Sequence, residues 1–178
     1  MSPPERSIAD LVAEATARAV LYTAVDPDVQ PQTPAHLAQE RIARSGMTTS
    51  SFECALAIIE HLSEAFEQED PERAVTDLGK VCVLAAWLAA AHDLAIAPIL
   101  ALARALTRHP DARTQHAAGR LAKAVSGAPR PAALVDALAL CIARGILDCE
   151  ILYDLEIDIA GVYQTVAGEM LAARVSTW

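Results

Sequence analysis

His92 and Asp93 stand side by side between the two most apolar runs of the chain, 81–91 and 94–103. A carboxylate placed among apolar side chains is costly to ionise, and that is how general acids and bases are tuned. The structural competitor is simple. A histidine in the last turn of a helix interacts favourably with the dipole and the free carbonyls, and Asp93 would then cap the following helix. His61, flanked by Glu60 and Glu64, offers a carboxylate–imidazole cluster, the raw material of a metal site. The usual metal spacings are missing, however. There is no Glu-x-x-His pair, no HExxH and no pair of histidines at i, i+4, so no metal and no cofactor is expected. Under an enzymatic reading, His92, Asp93 and then His61 are the residues to test.

A second chemistry is electrostatic. Residues 104–130 carry Arg104, Arg108, Arg113, Arg120, Lys123 and Arg130 against Asp111 alone, a local charge of +5 in a chain of net charge −9. Arg113, His116, Arg120 and Lys123 fall at i, i+3, i+7 and i+10, one face of a helix. Such a stripe is a landing site for an acidic protein, a phosphate or an anionic metabolite. Alternatively it pairs with acids of its own chain, for which Glu150, Asp154 and Asp158 have suitable spacing. Nucleophilic and nucleotide chemistry find no support: no GxSxG elbow, no GxxxxGK[ST] and no GxGxxG occurs.

The totals bound what must hold these residues. A chain of 178 residues buries roughly 70% of its unfolded surface and folds as one domain spanning 1–178 without staples. Apolar residues make up 53% but aromatics only 4%, so Leu, Ile, Val and Ala must build the core. The net charge argues against nucleic-acid binding. Cys54, Cys82, Cys141 and Cys149 form no CxxC pair and fall within helical patterns, which fits reduced thiols of a cytoplasmic protein. The opening Met-Ser-Pro-Pro-Glu-Arg leads into an amphipathic stretch without a signal-peptide apolar block. Residues 81–103 have about the length of a bilayer span, but His92, Asp93 and Pro98 interrupt them, so two core helices and no membrane contact are expected. The abundance of Ala, Arg and Leu over Lys suggests a GC-rich bacterial genome.

The punctuation is helical throughout. Helices are expected over 5–25 and 34–45, then from about Ser51 to Glu69 behind a Ser50–Glu53 capping box, with Phe52, Ala55, Leu56, Ile59, Leu62 and Phe66 inward. Asp70-Pro71 should open a helix to about His92, followed by one near 96–108. His109-Pro110-Asp111 opens the basic helix, which Gly127 closes; 132–144 follows, Gly145 interrupts, and a last long element runs towards Arg174. Within it, 153–159 alternates apolar and acidic residues as a strand does, but with no partner strand a helix is preferred.

The fold class is therefore all-α, a single multi-helix domain of about eight helices, bundle-like or orthogonal. The function expected is non-catalytic binding as a homodimer, since apolar residues exceed what short helices bury, with Arg113, His116, Arg120 and Lys123 facing an acidic partner. The alternative is a small metal-free enzyme or ligand-binding bundle acting on a hydrophobic small molecule by isomerisation, cyclisation or hydrolysis.

Overall fold

The computed structural model describes residue 39 and residues 50–109, 114–128 and 130–175. Six α-helices and no strand occur among them: α1 (Ser51–Glu67), α2 (Pro71–Ala90), α3 (Ile96–Thr107), α4 (Ala117–Val125), α5 (Pro131–Tyr153) and α6 (Ile159–Val175). A 3₁₀ turn, Thr114–His116, precedes α4. The expected count of about eight is not matched among the described residues, which hold six; the helix expected over 5–25 lies outside them, as does the one over 34–45 apart from residue 39.

Local chemistry fixes the early boundaries as expected. Ser50 Oγ accepts from Glu53 N (3.2 Å) while Glu53 Oε2 accepts from Ser50 N (3.0 Å), a complete capping box. The Asp70 carboxylate accepts from Glu72 N at 3.0 Å, with Pro71 in the first helical position. The run 81–103 divides at residues 91–95 into α2 and α3, and no helix of the described residues is long and apolar enough to cross a membrane.

Helices α2 and α5 form the centre. Helix α1 packs on α2, α6 on α2, and α3 and α4 on α5, while α2 and α5 touch each other. Both central helices bury residues around most of their circumference, from Ala74 to Ala89 in α2 and from Leu134 to Cys149 in α5, as helices surrounded by others must. All four cysteines are buried free thiols; loss of solvent pushes Cys54 and Cys141 up to about 12 and Cys149 to about 11.

Three expectations need correcting. Gly145 does not interrupt a helix: α5 runs through it to Tyr153. A Cβ there would stand 2.7 Å from Leu78 Cδ1 and 3.1 Å from Leu62 Cδ2, so the glycine serves close packing of α5 against α1 and α2. The break comes instead at 154–158, which is neither helix nor strand. Asp154 ends α5 in the left-handed region (φ 53°), and Asp158 begins α6 by accepting from Gly161 N at 3.2 Å. Burial still alternates there, with Ile157 and Ile159 inside and Glu156 and Asp158 outside, which explains the strand-like pattern.

Helix α1 is also rotated from the expected face. It buries Cys54, Ala55, Ile58 and Ala65, leaving Phe52 (54% exposed), Leu56 (49%) and Phe66 (53%) facing out. The small-residue face approaches α2 closely, as the bond from Cys54 Sγ to Leu84 O (3.3 Å) shows. Apolarity alone cannot choose between two apolar faces. Close approach chose the smaller side chains.

Candidate functional site

The basic stripe lines a cleft. His116 is the N-cap of α4, and Gly119, Arg120 and Lys123 follow on the same side. Across from them stand Arg130, the N-cap of α5, with Ala133 and Asp136 one and two turns on. The cleft between has a volume of about 540 Å³, and His116, Arg120, Lys123 and Arg130 are all exposed around it. Arg113 lies outside the described residues.

One charge inside the cleft is already matched. Arg120 Nη1 donates to Asp136 Oδ2 at 2.8 Å, and Asp136 is nearly buried on a core helix, where a carboxylate needs a cation beside it. Lys123 and Arg130 leave the cleft positive, and His116 adds to them when protonated. The first turn of α5 contains no acid, and no side chain caps it. The positive end of α5, the longest helix among the described residues, thus adds to the same field. The arrangement can attract and orient an anion.

The acids expected to neutralise the stripe are placed elsewhere. The Glu150 carboxylate accepts from Arg104 Nη1 and from Ile157 N (3.2 Å), Asp154 ends α5, and Asp158 caps α6. Asp136, which spacing did not single out, takes their place.

His61 sits in a second cluster. Its Nδ1 lies 2.8 Å from Glu64 Oε2 and 3.6 Å from Asp77 Oδ1, a residue of α2. Asp77 is buried, its Oδ2 accepting from Gln68 Nε2 (3.2 Å) and its Oδ1 from Lys80 Nζ (2.8 Å). Glu60, expected beside His61, is exposed and outside this cluster.

His92 and Asp93 form a helix terminus. Asp93 adopts φ 56°, Leu94 N donates to Ala89 O (2.8 Å) and Asp93 N to Ala90 O (3.1 Å), which is the Schellman pattern with Asp93 in the place glycine usually takes. The expectation that Asp93 caps α3 therefore fails: Ala95 is the N-cap and offers no side-chain bond. The buried Gln39 supplies it, its Oε1 accepting from Ile96 N at 3.0 Å and its Nε2 donating to Leu94 O at 2.7 Å. His92 Nε2 shares a 3.2 Å hydrogen bond with Ser51 Oγ, tying the end of α2 to the start of α1.

The three residues of the enzymatic reading are not brought to one place. Asp93 is exposed, and Ser51, the partner of His92, is ten residues from His61 along α1, about 15 Å of helix rise. Neither the basic cleft nor the smaller groove between α1, the start of α4 and α5, lined by Ile59, Phe66, Ala118, Arg144 and Asp148, contains any of them. Helical spacing on a single element found His116, Arg120, Lys123 and His61. It could not find Arg130, Asp136 or Asp77, whose relation to them is made by packing. No protein-family model, curated protein or solved structure matches the chain.

Proposed function

We propose that this chain is a non-catalytic helical binding protein of the cytoplasm, whose basic cleft receives an acidic group of a partner. The observation that carries the reading is the convergence of His116, Arg120, Lys123 and Arg130 from two helices on one concave surface, in a chain of net charge −9. An acidic protein repels acidic partners at long range, so attraction must come from a local field. A cleft that concentrates cations against a low-dielectric wall supplies one. Arg120 is held in place by Asp136, whereas Lys123 and Arg130 are exposed and able to reach a ligand.

Fluorescence anisotropy with a labelled oligoglutamate peptide tests this directly. Wild-type protein is expected to bind with an affinity that falls steeply with salt, and Lys123→Glu with Arg130→Glu to weaken it at least ten-fold. Equal binding by the charge-reversed protein would remove the cleft from the function.

The exposed side of α1 supports self-association. Phe52, Leu56, Ile59 and Phe66 follow one another at i, i+4, i+7 and i+14, a stripe about 21 Å long with an aromatic ring near each end. Two such stripes laid antiparallel about a two-fold axis place each Phe52 near the opposite Phe66, the self-complementarity of an isologous dimer. Sedimentation equilibrium should give a dimer for the wild type and a monomer for Leu56→Glu; an unchanged mass would exclude this face.

A further inference from the structure

We propose that His61, Glu64 and Asp77 bind a divalent first-row metal ion of the zinc class, clamping α1 to α2 and leaving coordination positions open to solvent. The inference is independent of the basic cleft. His61 and Glu64 lie three residues apart on α1, one turn on the same face, and Asp77 faces them from α2. Nδ1 of His61 and one oxygen of each carboxylate all lie within 4.8 Å of one another. Around a tetrahedral ion with bonds of about 2.0–2.1 Å, donor atoms stand roughly 3.3 Å apart. The separations from His61 Nδ1, 2.8 Å to Glu64 Oε2 and 3.6 Å to Asp77 Oδ1, bracket that value.

The surroundings supply what a metal site also needs. Asp77 is almost completely buried, and Gln68 Nε2 fixes its second oxygen at 3.2 Å, so one ligand is oriented by an outer hydrogen bond. Lys80 Nζ stands 2.8 Å from Asp77 Oδ1, the oxygen that faces His61. The cluster thus already attracts a cation, and this one sits on a flexible stem at the edge of solvent. With a neutral imidazole the two carboxylates exceed the single ammonium by one negative charge. A dication entering between the donors turns Lys80 out into water and takes the place of the Nδ1 proton, which moves to Nε2. One nitrogen and two carboxylate oxygens suit Zn²⁺, Co²⁺ or Mn²⁺.

Calorimetric titration of the untagged, chelator-treated full chain with Zn²⁺, paralleled by the visible absorption of added Co²⁺, tests the site. Wild type should bind one Zn²⁺ per chain and give a tetrahedral or five-coordinate Co²⁺ spectrum. Glu64→Gln and His61→Ala should each weaken binding ten-fold or more with the circular dichroism unchanged, since both side chains are partly exposed. Lys80→Met should tighten binding by removing the competing ammonium. The proposal is overturned if neither wild type nor Lys80→Met binds Zn²⁺, or if His61→Ala and Glu64→Gln bind it as wild type does.

Discussion

Replacing Gly79 by alanine sets two effects of known size against each other. In an ordinary helix interior alanine is more favourable than glycine by about 0.8–1 kcal/mol. At Gly79 the added Cβ would stand 2.3 Å from Val166 Cγ2, 2.8 Å from Val166 Cβ and 3.3 Å from Val162 Cγ1. Val166 is buried and β-branched, with one strongly preferred rotamer in a helix. Rotating its methyls relieves the first contact but leaves the second, because a Cβ moves only with its backbone. Helix α6 must therefore shift away from α2. Overpacking of this kind costs roughly 1–3 kcal/mol, and the forced backbone shift places it near the top. Net destabilisation of about 2 kcal/mol is expected, a fall of roughly 4–8 °C in melting temperature for a chain of this size. Urea unfolding followed by circular dichroism measures it, with Gly168→Ala as control. Gly168 lies in α6 with nothing within 4 Å of its would-be Cβ, so that change should stabilise by up to about 1 kcal/mol. Combining Gly79→Ala with Val166→Ala should cost less than the sum of the single changes by about 1 kcal/mol. If Gly79→Ala stabilises as much as Gly168→Ala does, α2 and α6 are not packed at this point and the reasoning fails.

Three other outcomes follow from the same geometry. Asp93→Gly should stabilise the fold by about 0.5–1 kcal/mol, because glycine adopts the left-handed conformation held here by an aspartate, and a loss in urea stability would contradict the Schellman terminus. Alkali should destabilise the protein: burial raises all four thiols, Cys54 and Cys141 to about 12 and Cys149 to about 11, so stability is complete below their unfolded values near 9 and declines as pH rises towards the folded ones. Each thiol adds up to about 1.4 kcal/mol per pH unit in that window, and a urea midpoint flat from pH 8 to 10.5 would refute this burial. Arg120→Met should cost about 1–2 kcal/mol, discounted for the exposure of the arginine, while Arg120→Met with Asp136→Leu should recover that loss; a double variant no more stable than the single one would remove the pair from the balance.

What the sequence disclosed was local. The capping box at Ser50, the Asp70-Pro71 start and the division of 81–103 each depend on residues within a few positions of one another, and each is present in the structure. Where two local signals competed, packing decided. Gly145 carries a helix-breaking propensity of only about 1 kcal/mol, less than α5 recovers by burying Ile142, Ile146 and Cys149 on either side of it. The apolar pattern of α1 was legible but its orientation was not, since Phe52 and Leu56 count as core in any periodicity while Cys54 and Ala55 allow the closer approach.

Both clusters share a construction that explains why spacing revealed only half of each. Asp77 and Asp136 are carboxylates on the two central helices, buried to 4% and 9% exposure. Each is met by a cation near the surface: Lys80 lies one turn along the same helix, whereas Arg120 comes from a neighbouring one. A buried ion pair contributes little net stability, because the desolvation of both charges offsets their attraction, and an apolar pair of similar volume holds a core at least as well. Stability alone therefore gives no reason for carboxylates at these two positions. What they do provide is a fixed anion at the inner wall of each site, orienting Arg120 in the basic cleft and standing opposite His61 in the other. The inner wall belongs to α2 or α5, and the outer groups belong to α4 in one case and α1 in the other. Only the packing of those helices brings the two halves together.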